Sequence, residues 1–581
     1  LKRESNFIDF SDFEHMALKL LKNDDGTPSD VAAEVSESFD EIYIDEYQDC
    51  NNIQNEIFKY ISGEHRGHPN IFCVGDMKQS IYSFRDANPL LFKEKSNLYA
   101  LYDYNKYHKH NKILLNSNFR SRKNIIDFVN SLFYQTMSPS CGELEYNNEE
   151  MLVYGSDFEE VNSDTQFIDV DIIDKDNGFC GENGKSDFKL SKTEAEAVHV
   201  ANKIQKYISD GYILYDRKSK NRRIAKYRDI VVLMRGVKNT APVFERIFKK
   251  MGIPVYSDKG EEYFESKEII YLISLLKVID NPDDDISLVT SMKNPFFGFD
   301  ENDFMEIRMI NKNTSFYKCI CEYMNTFDGN LSDKIARFIK TVNDFNEKSR
   351  YMETDELINY VIAKIRFYTY LSTFSDSELK KTNVRFLIKK AKDFEKTNYK
   401  GIFSFIRYID NLRASDKSKT EGAKILSEND NVVRIMSIHK SKGLEFPIVF
   451  LTCLGSKIMM KDDKNTALYH PKYGIGLDSY KKDKVILKTK TLNKIIMRQK
   501  KYKEYISEEM RVLYVALTRP TEKLVLSGVC SNADKMLNNT EYYLCGQGKK
   551  INPYIISKAN NYMQVILFGI TRSSGYQADL M

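Results

Sequence analysis

Two adjacent carboxylates, Asp45 and Glu46, directly follow a short apolar run in the segment EIYIDEYQD, residues 41–49. Carboxylate oxygens at the end of a strand can hold Mg²⁺, and one of them can orient a water against a nucleotide phosphate. The opposing interpretation is a solvated turn, because acidic residues are common where strands end. This segment alone leaves both interpretations open.

Four further blocks accompany the acidic pair in a fixed order, and each contains polar residues beside apolar runs. With them the chain resembles UvrD/Rep-type superfamily 1 DNA helicases, and within these most closely the AddA-type helicase–nuclease family of bacterial double-strand-break repair. The blocks are VGDMKQSIYSFRDA (74–87), LNSNFRSR (115–122), SIHKSKGLEFPIVFL (437–451) and EEMRVLYVALTRP (508–520).

The resemblance implies a role for each polar residue of a nucleotide site. Asp45 would hold Mg²⁺ directly or through water, and Glu46, at the same metal site, would polarise the attacking water. Gln79 would sense the γ-phosphate and that water. Arg120 and Arg519 would reach the γ-phosphate from the opposite domain, because a planar guanidinium matches phosphate oxygens and keeps its charge.

Further positions match the family around the nucleotide. Arg85 matches an arginine at the nucleotide cleft, and Glu445 matches the residue that binds the ribose hydroxyl. Phe119 stands where the family stacks a tyrosine on adenine. Glu265 and Lys267, in YFESKEI, match a further helicase motif more loosely. The implied cofactors are ATP and Mg²⁺.

Three residues match family positions that serve DNA. Tyr82 and Phe84 match aromatics that stack on single-stranded bases, and Phe84 replaces the usual Trp in a chain without Trp. His439 matches the position that couples the nucleotide site to the DNA track. The alternatives are core packing for the two aromatics and a structural role for the histidine. The implied partners are single- and double-stranded DNA and an AddB-like second subunit.

One family motif, the phosphate-binding P-loop, does not occur in the chain. GENGKS (181–186) resembles it, but the motif requires a glycine where Phe179 stands. We interpret GENGKS as a polar loop. No nuclease motif with spaced acids followed by E-x-K occurs either, and the start LKRESNFIDF indicates a fragment. The interpretation is a segment of an ATP-dependent 3′→5′ DNA helicase; a plain repair helicase without nuclease, or a P-loop-less DNA-binding or scaffold subunit, stays open.

Composition narrows the class of protein further. The net charge of +3 over 581 residues means that any nucleic-acid surface must be local. Two basic stretches, 217–228 and 481–503, either contact phosphates or are solvated. The nine cysteines are scattered, with Cys319 and Cys321 the only close pair, which disfavours a zinc site and favours reduced cytoplasmic thiols. No apolar run is long enough to span a membrane.

The elements that must position these residues have the pattern of an α/β protein. Short apolar strands at 42–45 and 71–74 end in acidic or glycine residues, as buried parallel strands with functional carboxyl ends do. Further strands are predicted at 229–235, 432–437 and 447–453. The fold class is therefore α/β, with RecA-like P-loop NTPase domains built on parallel sheets and a helical insertion.

The change from strand to helix patterns divides the chain. The expected domains are the end of a first RecA-like domain at 1–110, a second RecA-like domain at 111–285 and 429–535, a helical insertion at 286–428, and a linker toward a nuclease domain at 536–581.

Overall fold

A parallel sheet forms the centre of the larger of two units into which the chain folds in the computed structural model. The larger unit comprises Leu1–Val255 and Asn431–Met581, and the smaller one comprises Tyr256–Asp430. The structure describes residues 8–158, 166–174, 190–217, 220–257, 263–374, 377–396, 400–414, 431–458, 465–482, 486–544 and 550–572.

The central strand of this sheet, β10 (Ile230–Met234), is buried at every position. It pairs in parallel with β12 (Val433–Ser437) on one side and β13 (Phe446–Leu451) on the other. Beyond β13, the parallel order continues with β17 (Pro520–Cys530) and β7 (Ile168–Asp174). Continuous apolar sequence is expected where both faces of a parallel sheet are covered. The predicted α/β class with a parallel sheet is confirmed.

Alternate residues of β10 contribute to two different cores, because successive side chains of a strand point to opposite faces. Val231 and Leu233 pack in the core on one face. Val232 and Met234 pack in the core on the other. The first face is covered by α5 (Lys123–Thr136), α17 (Leu492–Leu517) and α20 (Tyr562–Ile570), and the second by α6 (Lys192–Ser209) and α7 (Ala241–Lys250).

A second, two-stranded parallel sheet carries the acidic pair. Its strands, β1 (Ile42–Ile44) and β2 (Ile71–Cys73), pair Ile42 with Ile71. Because the strands are parallel, the residues that follow both of them meet at one sheet edge. The neighbouring elements are α1 (Phe10–Leu21), α2 (Asp30–Glu37), α3 (Asn52–Ile61), α4 (Pro89–Leu98), β3 (Ala100–Leu101), β4 (Asn111–Lys112), β5 (Ser117–Asn118) and β6 (Val153–Tyr154).

The remaining elements of the larger unit include a C-terminal group of helices. In α20, Gly569 lies against Leu132 of α5 so closely that a Cβ would come within 2.3 Å of its side chain. This close approach lets the two helices share the core below the sheet. The remaining elements are β8 (Ile213–Asp216), β9 (Asn221–Ile224), β11 (Val255–Ser257), β14 (Ala467–His470), β15 (Gly474–Lys482), β16 (Ile486–Lys490), α18 (Ala533–Leu544) and α19 (Pro553–Ser557).

The smaller unit is helical in its described part. Its first long helix, α8 (Lys267–Asp280), precedes the predicted insertion at 286–428 but shares a core with helices inside it. The assignment of segments to domains stays a prediction. The helices that follow α8 are α9 (Asp285–Met292), α10 (Glu301–Ile310), α11 (Phe316–Thr326), α12 (Asn330–Ser349), α13 (Thr354–Lys364), α14 (Phe367–Leu371), α15 (Ser377–Glu395) and α16 (Ile402–Ala414).

The start of α1 differs from the expectation. The sequence also predicts a capping box formed by Ser11 and Glu14, which is wrong: Asp9 caps α1, and its side chain accepts from the backbone of Asp12 at 3.0 Å. The basic stretch at 481–503 combines parts of β15 and β16 with the start of α17. The rejected P-loop candidate, 181–186, lies outside the described residues.

Candidate nucleotide and nucleic-acid site

The acidic pair sits where the chain leaves β1. Asp45 Oδ1 accepts a hydrogen bond from the backbone N–H of Glu46 at 2.8 Å, and both residues are exposed. Glu46 has φ of 49°, in the left-handed region. A non-glycine residue there costs about 1–3 kcal/mol and persists where the surroundings enforce it, which is common at functional sites.

A buried glutamine ties Glu46 to the end of β2. The Gln48 side-chain amide donates to Glu46 Oε2, and its Oε1 accepts from the backbone N–H of Asp76 at 2.9 Å. A Cβ on Gly75 would come within 2.4 Å of that Oε1, so the approach requires glycine. Sequence reasoning missed Gln48, because a buried amide in an irregular turn leaves no periodic signal.

A buried lysine also reaches the acidic pair. Lys442 Nζ lies 3.2 Å from Glu46 Oε2 and also pairs with Asp49. Burial raises the pKa of the Asp49 carboxyl, and Lys442 opposes this without reversing it, so that pKa stays above its ordinary value. The sequence contained the signal, a lysine in the quoted block SIHKSKGLEF, but no role was predicted for it.

Gln79 lies in a short 3₁₀ turn, Met77–Gln79, just after β2. Its side-chain amide donates to Asp76 Oδ2 at 2.9 Å. Because Gln48 binds the backbone of Asp76, one set of hydrogen bonds holds both Glu46 and Gln79. The structure therefore brings together two of the predicted catalytic residues.

The two predicted phosphate-binding arginines are neighbours. Arg519 is 2% exposed and donates to the carbonyls of Val515 at 2.8 Å and Leu444 at 2.9 Å. Burial and the nearby Arg120 guanidinium lower the pKa of Arg519 to about 10, so it stays charged at neutral pH. Arg120 lies 3.4 Å from the Glu445 carboxylate. Their phosphate and ribose roles stay predictions.

Phe119, the predicted adenine-stacking residue, is exposed. One side of its ring lies against Gly155, where a Cβ would come within 2.8 Å. The backbone therefore supports the ring like a flat shelf. Lys267 begins α8 in the smaller unit, and the side chain of Glu265 lies outside the described part.

The predicted DNA-stacking aromatics form a cluster with His439. Ring centroids lie 5.8 Å apart for Tyr82 and Phe84 and 5.6 Å apart for Phe84 and His439. Tyr82 is half-buried and packs against the main core, whereas Phe84 is 65% exposed. The Arg85 guanidinium lies over both rings, at 5.4 and 5.7 Å, which places it with the aromatics. Stacking on DNA stays a prediction, and Phe84 is the better placed residue.

His439 is kept neutral. Burial and the positive charge of Arg235 lower its pKa to about 4. Arg235 follows β10 and forms an ion pair of 2.6 Å with the buried Glu509, which also accepts from the Tyr562 hydroxyl. Sequence reasoning missed these three residues, because they are far apart in the chain and meet only below the sheet.

The acidic pair has the donor chemistry for Mg²⁺. Magnesium prefers carboxylate oxygens and usually combines one or two of them with water and substrate phosphates. Within the described residues no group of three His, Cys, Asp or Glu side chains could enclose a metal ion by itself. A pair of carboxylates is therefore consistent with a metal that needs a nucleotide to complete its ligands.

Comparisons with known proteins give the chain relatives along most of its length. Residues 1–100 match the family model of the UvrD/REP helicase N-terminal domain, and residues 113–531 match that of the UvrD-like helicase C-terminal domain. No described helix is long and apolar enough to cross a membrane.

Similar proteins are named as the A-type component of an ATP-dependent helicase/nuclease. The one from Clostridium novyi (strain NT) is 39% identical over 97% of this chain and 46% of its own length. Those from Clostridium beijerinckii and Thermoanaerobacter pseudethanolicus are 40% and 38% identical over 98% of the chain and 47% of their own lengths. The chain thus spans slightly less than half of these relatives.

Proposed function

Because the chain belongs to the UvrD/REP helicase family, we propose that it is the motor segment of an AddA-like ATP-dependent 3′→5′ DNA helicase in double-strand-break repair. The main support is the meeting of Glu46, Gln79, Arg120 and Arg519, which come from both ends of the chain. Arg519 feels the charges of both Arg120 and Glu46. Such a group of charges suits phosphoryl transfer, which requires positioning and neutralisation.

Each residue would have one task in hydrolysis. Glu46 would polarise the attacking water, and the Gln79 amide would orient that water and sense the γ-phosphate. Arg120 and Arg519 would bind the oxygens where charge develops. Bound Mg²⁺, held by Asp45 and Glu46, would supply charge neutralisation at the phosphates.

The base and ribose would be held beside these groups. Phe119 would stack on adenine, Glu445 would accept from the ribose hydroxyl, and Arg85 would lie at the edge of the cleft. In this nucleotide-free structure Arg120 pairs with Glu445. Binding of ATP would therefore have to separate the two, so that Arg120 reaches phosphate.

The aromatic cluster would carry DNA. Tyr82 and Phe84 would stack on bases, and the Tyr82 hydroxyl contacts the carbonyl of His439 at 3.4 Å. Lys442 lies over the Tyr82 ring at 5.1 Å while pairing with Glu46. A movement of Tyr82 on DNA would thus be transmitted to the acidic pair.

The whole protein would have further parts and partners. We propose RecA-like domains at 1–110 and at 111–285 with 429–535, an insertion at 286–428, and a linker toward a nuclease domain at 536–581. Its substrates would be single- and double-stranded DNA, its partner an AddB-like protein, and its location the cytoplasm. A plain repair helicase would differ only in lacking the nuclease.

The test is Glu46→Gln in a polypeptide that carries this chain at the full length of its relatives. We expect ATP hydrolysis to fall by about 10²–10⁴-fold with nearly unchanged ATP binding. Glu41→Gln, in the same exposed run, is the matched control. Hydrolysis at the wild-type rate would mean that Glu46 is not the catalytic carboxylate.

The alternative of a P-loop-less DNA-binding or scaffold subunit has one supporting observation, the absence of the P-loop motif from the 581 residues. It predicts strong DNA binding without hydrolysis even at the relatives' full length. DNA-stimulated hydrolysis that depends on Glu46 would exclude it.

A further inference from the structure

The turn that carries Gln79 is held from outside by one acidic loop. This loop, residues 141–150, lies between α5 and β6, and we call it the acidic strap. Two of its glutamates reach toward the turn, Glu143 and Glu150. Neither has a role in the resemblance or in the site described so far.

The first contact runs through Lys78, the residue before Gln79. Lys78 Nζ lies 2.9 Å from Asp76 Oδ1 and also pairs with Glu150 Oε2. The other carboxylate oxygen of Asp76 accepts from the Gln79 amide. Glu150, Lys78, Asp76 and Gln79 therefore form one continuous series of contacts.

The second contact runs through Arg511 of α17. Its Nε donates to the carbonyl of Ser80 at 2.8 Å, and its NH1 pairs with Glu143 at 2.7 Å. Ser80 follows Gln79 directly. The strap thus reaches the residues on both sides of Gln79, once through Lys78 and once through Arg511.

The acidic strap is itself firmly placed. Tyr146 is fully buried, and its hydroxyl donates to Asn130 Oδ1 of α5 at 2.8 Å. That oxygen also accepts from the backbone N–H of Leu152 at 3.0 Å. Glu143 has φ of 64°, in the left-handed region, where a non-glycine residue is held only by its surroundings.

The charges of the first contact are stable at neutral pH. Burial alone would lower the pKa of the Lys78 ammonium, but Asp76 and Glu150 more than reverse this, so its pKa lies above the ordinary value. Burial likewise would raise the pKa of Asp76, and Lys78 and Gln79 keep it below the ordinary value. Lys78 therefore serves as a fixed cation between two carboxylates.

We propose that the acidic strap positions the Gln79 amide for ATP hydrolysis, with Glu150 and Lys78 as positioning residues; this rests on the proposed function. Without Glu150, Lys78 would be free to leave Asp76, and Asp76 could no longer fix the direction of the amide. A displacement of about 1 Å at such a group can cost on the order of 10²-fold in rate.

The test is a double-mutant cycle between Glu150→Gln and Gln79→Ala in a polypeptide of the relatives' full length, with kcat and KM for ATP measured at saturating single-stranded DNA. Glu150→Gln alone should lower kcat by about 10-fold or more and change KM by less than about twofold. In the Gln79→Ala protein, the same change should alter kcat by less than about twofold, because its effect requires the amide.

Glu149→Gln is the matched control, because Glu149 is exposed, carries the same charge and precedes Glu150. If Glu150→Gln folds poorly, Glu143→Gln tests the same coupling at Arg511. Equal losses with and without Gln79, or a loss equal to that of Glu149→Gln, would overturn this inference alone. A wild-type protein whose hydrolysis does not depend on Glu46 would overturn the proposed function and this inference with it.

Discussion

Replacing Lys442 by Met removes the cation that pairs with Asp49 and Glu46. The Lys442 side chain is only 5% exposed, so water cannot take the place of the lost charge. Met has similar length and keeps most of the apolar packing of the lysine stem. The substitution therefore isolates the charge from the shape.

The size of the effect follows from the burial of the two carboxylates. Asp49 is 17% exposed, and breaking a buried ion pair by removing one partner costs about 3–5 kcal/mol. Glu46 is 49% exposed, so its pair adds about 1 kcal/mol at most. Because Asp49 retains some solvent contact, we expect a local destabilisation of about 3 kcal/mol at pH 7.

The effect should depend on pH in a defined direction. The folded-state pKa of Asp49 is raised, so its contribution to stability is lost as pH rises through that pKa. Lys442→Met raises that pKa further and increases the loss at neutral pH. Toward pH of about 4, near the ordinary Asp pKa, Asp49 becomes protonated and the difference between the two proteins should narrow.

Hydrogen exchange of the 581-residue chain measures this locally. A loss of about 3 kcal/mol corresponds to roughly 10²-fold less protection for amides in 42–50, after correction for intrinsic rates. Lys440→Met, an exposed change in the same turn, is the control. Equal protection in both variants at pH 7, or a difference that does not narrow in acid, would refute the buried ion pair as the cause.

Three further outcomes are expected. Phe84→Ala should weaken single-stranded DNA binding by about 1–3 kcal/mol without changing the salt dependence, because no phosphate contact is lost; unchanged affinity in titrations monitored by fluorescence anisotropy would contradict this. His439 should stay neutral in NMR titrations down to pH 5, and stability should fall on acidification from about 6.5 toward its folded pKa, because the folded state resists protonation; Arg235→Ala should raise that pKa. The 581-residue chain alone should hydrolyse little ATP, because the backbone cradle of the P-loop is absent, and DNA-stimulated turnover by a pure sample would contradict this.

The parts of the fold that follow from local pattern could be predicted. The apolar run at 229–235 predicts β10, and the spacing of Ser191 and Glu194 predicts the capping box that begins α6. The start of α1 could not be placed in the same way. Asp9 and Asp12 satisfy the same spacing rule as Ser11 and Glu14, and the Glu14 carboxylate instead binds Asn51 and Gln54 of α3.

The site could be predicted only as far as its motifs reach. The blocks identify Glu46, Gln79 and Arg519, but not how they are held. Gln48 acts through hydrogen bonds to groups brought close by strand pairing, and sequence spacing does not contain those distances. Glu150 is further still from any block, because its partner Lys78 precedes it by 72 residues.

The C-terminal helices have a consequence for anyone who shortens the chain. The match to the family ends at 531, yet nine apolar residues between Ile551 and Phe568 are buried in the main core. A large apolar side chain contributes about 1.5–3 kcal/mol when fully buried, and a whole domain is stable by only about 5–15 kcal/mol. Cutting at 531 would also remove the Tyr562 hydroxyl from Glu509. A protein trimmed to its recognisable motifs should therefore aggregate through a bare sheet face rather than give a smaller soluble motor.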